Sequence, residues 1–160
     1  MNGVLLVVDG TEQAESAVWE VVAQARQGAI GTIHLLNLQP AFDGLVRHFV
    51  GMAAIRAFQR DAGEAALAGA RQILECAGLA YEIHIRSGDA VRHILRLAQE
   101  LDVGQIVLSS GSDGLIDTFL QRLLVARVIR RSSVPIVVAR AQGGFHEFDV
   151  PMTPPTVASR

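Results

Sequence analysis

The chain has 160 residues, of which 50% are hydrophobic and 19% charged, so we expect one packed domain and not a disordered chain. Its formal net charge of −2 gives no positive field for nucleic acid or an anionic membrane, and no apolar run reaches the ~20 residues of a membrane span. We therefore expect no nucleic-acid partner and no membrane association. The single cysteine excludes an internal disulfide, and the first residues lack the basic region of a signal peptide, which together predict a cytoplasmic protein.

The chain contains no lysine, because the 14 residues counted as lysine plus arginine are all arginine. A P-loop needs a lysine to reach the β- and γ-phosphates of a nucleotide, and Schiff-base catalysis needs a lysine amine. Both kinds of site are excluded.

Strand and helix patterns alternate from the start of the chain. Residues 4–8 are a continuous apolar run, typical of a strand buried on both faces, and Asp9-Gly10-Thr11 ends it. A helix follows to about Gln27, with apolar residues at helical spacing, and residues 32–38 form the second strand. Residues 41–51 predict a loop or a short helix.

The middle of the chain predicts a long helix and then a strand at the edge of the sheet. The alanine-rich stretch from Met52 to Cys76 favours a helix. Residues 81–86 alternate apolar and polar side chains, which is typical of a strand with one solvent-exposed face. Ser87-Gly88-Asp89 then leads into a helix that ends near Leu101.

Residues 105–139 contain a strand, a glycine loop, a helix and a second strand in succession. The loop is Ser109-Ser110-Gly111-Ser112-Asp113-Gly114, and the last strand follows Pro135. This succession is the repeating unit of a parallel sheet covered by helices.

These elements predict a single-domain α/β fold over residues 1–140, followed by a C-terminal tail at 141–160. The fold is a five-stranded parallel sheet of order 3-2-1-4-5 with helices on both faces. In that order the switch point lies between strands 1 and 4, where open α/β sheets bind their ligands. We expect the crevice to be lined by Asp9-Gly10-Thr11 and by the loop that contains Gly111 and Gly114.

Strand 5 is expected to be an unprotected edge of this sheet. It consists of Ile136, Val137, Val138 and Ala139 and is apolar throughout. An uncovered apolar edge promotes aggregation, and pairing with the same strand of a second copy would cover it. The sequence therefore predicts a homodimer through strand 5, with the Phe145–Phe148 segment near the interface.

The chain resembles the universal stress protein family from about Met1 to Arg140. The matching motifs are VLLVVDGT at the start, SGDAVRHILRLAQE before strand 4, and IVLSSGSDG followed by ARVIRRSSVPIVVAR. The resemblance implies a Rossmann-like α/β fold, a dimer joined through the last strand and a role in stress survival. It also implies one of two branches, one that binds ATP and one, typified by universal stress protein A, that does not.

The ATP-binding branch carries the pattern G-x-x-G, nine residues, then Gly followed by Ser or Thr. Gly111 and Gly114 match its first half, but the second half falls on Leu124-Val125 or, counted back from Pro135, on Arg122-Leu123. A large side chain obstructs the approach of phosphate to backbone N–H groups, so the chain looks more like the branch without nucleotide.

The resemblance implies four candidate residues for a nucleotide or anion. Asp9 corresponds to an aspartate that the ATP-binding branch places near the phosphates and metal, and it is accompanied by Gly10, Gly111 and Gly114. Two structural interpretations stay open. Asp9 is interpreted first as a cap for the first helix, and the glycines of the loop are explained equally well by a tight turn.

Metal binding is not expected from the sequence. His34 and His84 fall in predicted strands, and no pair of histidines has a ligand spacing such as H-x-x-x-H. Cys76 has no neighbouring His or Asp in sequence and is interpreted as a buried apolar residue.

The leading functional hypothesis is a dimeric, non-enzymatic stress-response protein that acts through contacts with an unknown protein partner. No catalytic residue and no cofactor are assigned. The alternative is a module that binds ATP or another adenine nucleotide and acts as a switch, with slow or no ATPase activity.

Overall fold

The computed structural model describes residues 3–109, 124–139 and 145–148. The strands in these residues form one six-stranded sheet. Its strands are β1 (Gly3–Val7), β2 (Ile33–Gln39), β3 (Tyr81–Ser87), β4 (Val103–Ser109), β5 (Ile136–Ala139) and β6 (Phe145–Phe148). The described helices are α1 (Glu12–Arg26), α2 (Gly44–Val50), α3 (Met52–Cys76), α4 (Ala90–Glu100) and α5, which covers 124–131.

The strand order is β3-β2-β1-β4-β5-β6. The first five strands are parallel to one another and lie in the predicted order 3-2-1-4-5, which is thereby confirmed. The sixth strand was not predicted. It lies in the stretch interpreted as a tail and pairs antiparallel with β5, with Ile136 opposite Phe148.

Two apolar cores lie on opposite faces of the sheet, because successive side chains of a strand point to opposite faces. Val4, Leu6 and Val8 pack in the core that α1 and α3 cover, while Leu5 packs in the core that contains residues of α4 and α5. The continuous apolar run at the start of the chain is explained by this two-sided burial. In β3, by contrast, only the face with Tyr81, Ile83 and Ile85 packs against a core.

The helix boundaries follow from local capping. Thr11, Asp43 and Asp89 each accept a hydrogen bond from a backbone N–H in the first turn of α1, α2 and α4. The segment predicted as a loop or short helix is the helix α2, and α3 has the predicted bounds. Within the described residues no helix has the length and the apolar character needed to cross a bilayer.

Two sequence interpretations are wrong. Cys76 is exposed, because it is the last residue of α3 and lies beyond the packed part of that helix. Strand 5 is not an unpaired edge, because β6 covers it and all four of its side chains are buried. The homodimer inferred from that edge stays a prediction.

We predict that β6 protects the edge of β5. A chain that lacks residues 141–160 leaves the outer backbone groups of β5 unpaired, so its amides should exchange with deuterium faster or a second copy should cover them. Hydrogen–deuterium exchange of residues 136–139, together with sedimentation velocity, measures both effects. A chain that lacks only 151–160 keeps β6 and is the control. Unchanged exchange combined with unchanged sedimentation after the longer deletion would contradict the prediction.

Candidate ligand-binding crevice

A cavity of about 270 Å³ lies at the carboxyl ends of β1, β2 and β4. The strand ends form one side of it, and the first residues of α4 and of the described part of α5 form the other. Its described lining consists of Val7, Val8, Asp9, Leu38, Ala90, Leu108, Leu124 and Val125. This is the predicted position at the switch point of the sheet.

Asp9 organises the turn between β1 and α1. Its Oδ1 accepts hydrogen bonds from the backbone N–H of Thr11 at 3.0 Å and from the Thr11 hydroxyl at 2.6 Å. The Thr11 hydroxyl oxygen in turn accepts from the N–H of Ala14 at 3.3 Å and caps the helix. Thr11, and not Asp9, is therefore the N-cap residue. The carboxylate of Asp9 remains exposed at the cavity and is the one ionisable side chain in its described lining.

Gly10 allows this turn to approach α3. Its φ of +84° lies in the left-handed region, and a Cβ atom at this position would lie 3.2 Å from the Cα of Ala66. The residue thus has a structural role in the turn, whatever ligand the crevice takes.

A buried side-chain amide in the neighbouring strand β2 holds the end of β1. The Nδ2 of Asn37 donates to the carbonyl of Val8 at 2.8 Å, and the Nε2 of Gln39 donates to the Oδ1 of Asn37 at 2.7 Å. Asn37 is buried, and both of its amide atoms have a partner. The strand end that presents Asp9 is therefore fixed by side-chain hydrogen bonds in addition to the sheet.

The structure brings only some of the predicted site residues together. Asp9 lines the cavity and Gly10 follows it, while Gly111 and Gly114 lie outside the described residues. The apolar lining was missed by the sequence interpretation. A signal for it exists, since Val7, Leu38 and Leu108 end three parallel strands and point to one face.

Leu124 and Val125 line the cavity as well. One register of the glycine pattern places Gly-Ser at these two positions, where this chain has two larger apolar side chains. These side chains occupy space that glycine would leave open to a ligand and make this wall of the cavity apolar.

The sequence model of the Universal stress protein family matches residues 1–140. The chain belongs to this family. A search of the curated proteins found no match. The universal stress protein UspA from Lactobacillus plantarum is similar in structure, with a TM-score of 0.69 and 16% identity, over 87% of this chain and 97% of that chain.

Two further universal stress proteins with similar structures were solved with nucleotides. One from Archaeoglobus fulgidus, in complex with dAMP, has a TM-score of 0.58 and 15% identity, over 87% of this chain and 98% of that one. Another, in complex with cAMP, has a TM-score of 0.50 and 22% identity, over 87% of this chain and 96% of that one. At such low identity these likenesses establish the fold that this universal stress protein shares with them, and no more.

We predict that Gly10→Ala destabilises this universal stress protein more than Gly28→Ala does. Both glycines have positive φ, so each substitution should cost about 1 kcal/mol in backbone strain. At Gly28 no atom of the described residues lies within 4 Å of the added Cβ, whereas at Gly10 the contact with Ala66 should add about 1–3 kcal/mol of overpacking. Urea unfolding of the two variants measures the difference. Equal free energies of unfolding for the two variants would show that α3 shifts to accommodate the new methyl group, and would contradict the prediction.

Proposed function

We propose that this universal stress protein acts without catalysing a reaction, through contacts with another protein. The observation that carries the proposal is a group of exposed apolar side chains that α2 and the first part of α3 contribute. This α2–α3 surface consists of Leu45, Phe49, Val50, Met52 and Phe58, all of which are exposed. Phe49 is 79% exposed and Leu45 is 69% exposed. Exposed apolar groups of this kind mark interaction sites.

The helix α2 has little of its own to stabilise it. It is seven residues long and buries none of its side chains. Isolated helices of this length are marginal in water, and most helices in proteins are stabilised by packing an apolar face. Leu45 and Phe49 lie four residues apart on one side of α2 and offer such a face to a partner.

Photo-crosslinking under stress tests this proposal. A photoreactive phenylalanine analogue in place of Phe49 should give a discrete adduct with another protein, whereas the same analogue in place of Trp19 should not. Trp19 is the matched control because it is also exposed but lies on α1. With the captured protein purified, Phe49→Ser should weaken its binding at least about tenfold and Trp19→Ser should leave it unchanged. Equal adducts at both positions, or equal affinities of both variants, would contradict the proposal.

A homodimer is also part of the proposal. With β5 covered, β6 is the last strand of the sheet among the described residues, and its outer backbone edge is where we expect a second copy to pair. A two-fold pairing there would extend the sheet across both chains. The sedimentation velocity of the full chain tests this assembly, and a monomer at micromolar concentration would contradict it.

The crevice supports a second function, which is binding of an adenine nucleoside monophosphate. Its volume of about 270 Å³ is near the lower end of small-molecule sites, which span about 300–1,000 Å³. Its described lining is apolar except for Asp9, as expected for a pocket that takes a flat base and orients it with few polar groups. Two relatives of the same fold were solved with dAMP and cAMP. Leu124 and Val125 disfavour a longer phosphate chain, so ATP should bind more weakly than the monophosphate.

Calorimetric titration with AMP, cAMP and ATP tests this second function. Ala90→Phe should raise the Kd of the monophosphates at least about tenfold, because the ring fills part of the cavity. Ala68→Phe, on an exposed position of α3, is the control and should have no effect. An ATP Kd equal to or below that of AMP would contradict the predicted preference. Monophosphate binding that Ala90→Phe leaves unchanged would place the ligand elsewhere.

A further inference from the structure

Two imidazoles and a carboxylate converge on the sheet at its β3 edge. His34 lies in β2 and is paired in register with Glu82 of β3, and His84 is two residues further along β3. The Nδ1 of His34 is 3.3 Å from the Nε2 of His84 and 3.3 Å from the Oε2 of Glu82, and these last two atoms are 3.9 Å apart. The three side chains form a triangle of possible ligand atoms.

The size of this triangle fits a metal ion. A point equidistant from the three atoms lies about 2.0 Å from each, which is the length of zinc bonds to imidazole nitrogen and carboxylate oxygen. The three atoms therefore lie close to the separations of ligands that share one ion, and the exposed side chain of Glu82 has room to adjust to it.

We propose that His34, Glu82 and His84 bind a zinc-class divalent cation, with water completing its coordination. Two imidazole nitrogens and one carboxylate oxygen are a ligand set of Zn²⁺ sites, whereas Ca²⁺ and Mg²⁺ take oxygen ligands. Three protein ligands leave a position open, as in zinc sites that also hold water. The same set accepts other late first-row ions, with Cu²⁺ bound most tightly.

Hydrogen bonding alone does not satisfy the three groups equally well. If the Nδ1 of His34 carries a proton, a single N–H faces both Glu82 and His84. If it carries none, its lone pair faces the carboxylate of Glu82 at 3.3 Å. A cation would instead interact favourably with a lone pair on each of the three groups.

The surroundings of His84 favour the neutral imidazole that a metal needs. The side chains of His34 and His84 are 7% and 14% exposed, and that of Glu82 is 60% exposed. Burial lowers the pKa of His84, as do His34 and Arg86, while Glu82 opposes the shift. The lowered pKa favours the form of His84 whose ring nitrogen offers a lone pair to a cation. The exposed Glu82 leaves a path by which a cation enters from solvent.

This site is separate from the crevice and does not rest on the proposed function. His34 is the second residue of β2, while Leu38 in the same strand lines the crevice. Four residues along a strand span about 13 Å. A nucleotide in the crevice and a cation at the edge would thus bind at opposite ends of β2.

Zinc titration of the untagged, chelator-treated full chain tests the proposal, since a histidine tag would bind the metal itself. Calorimetry with ZnCl₂ should show one saturable site per chain, and CoCl₂ should give the visible absorption of nitrogen-coordinated cobalt. His84→Asn should raise the Kd for zinc at least about tenfold, and Glu82→Gln should raise it as well. His48→Asn, which removes an exposed histidine on α2, is the control and should leave the Kd unchanged.

The absence of a saturable site in the wild type would overturn the proposal, as would equal losses in His84→Asn and His48→Asn. Far-UV circular dichroism checks that each variant is folded. If His84→Asn does not fold, Glu82→Gln tests the site instead, because the side chain of Glu82 is exposed and can be replaced without disturbing a core. An unchanged zinc affinity in folded Glu82→Gln would remove Glu82 from the ligand set and refute the three-residue site.

Discussion

The burial of β1 on both of its faces is the constraint on which the rest of the structure depends. Val4, Leu5 and Leu6 are fully buried, alternately in the core under α1 and α3 and in the core under α4 and α5. Each such side chain stabilises the fold by about 1.5–3 kcal/mol when removed from water. Because β1 has strands on both sides and helices above and below, its carboxyl end lies at a fixed place, and this end carries Asp9.

The turn after β1 holds Asp9 in a fixed position at the cavity. Asn37 holds the carbonyl of Val8 on one face, and Asp9 closes the turn on Thr11. Gly10 then brings the turn against Ala66 of α3. Three independent contacts therefore hold one short segment, which presents a carboxylate to the cavity with little freedom to move. Such preorganisation lowers the entropy lost on binding a ligand.

The sequence was sufficient for the order of the strands but not for everything at the edges of the sheet. Two-sided burial makes β1 continuously apolar and one-sided burial makes β3 alternate, so periodicity alone distinguishes the centre from an edge. The segment that became β6 has only four residues after two glycines, and its composition does not distinguish a strand from a tail. Its pairing depends on the position of β5, which is a tertiary property. A cavity lies at the switch point with Asp9 in its lining, but the apolar part of that lining depends on which face each strand end presents.

The histidines of β2 and β3 are a second feature that the sequence alone does not predict. His34 and His84 are 50 residues apart, so no spacing within one element reveals them. They approach each other only because β2 and β3 pair in parallel with His34 opposite Glu82. A shift of one residue in that register would turn the side chains of β3 to the other face and separate them from His34. The polar half of the alternation in β3, interpreted from the sequence as a solvated face, therefore supplies an exposed carboxylate and one shielded imidazole, and His34 of β2 supplies the second imidazole. The strand register that protects the apolar core on one face is also what assembles this cluster on the other.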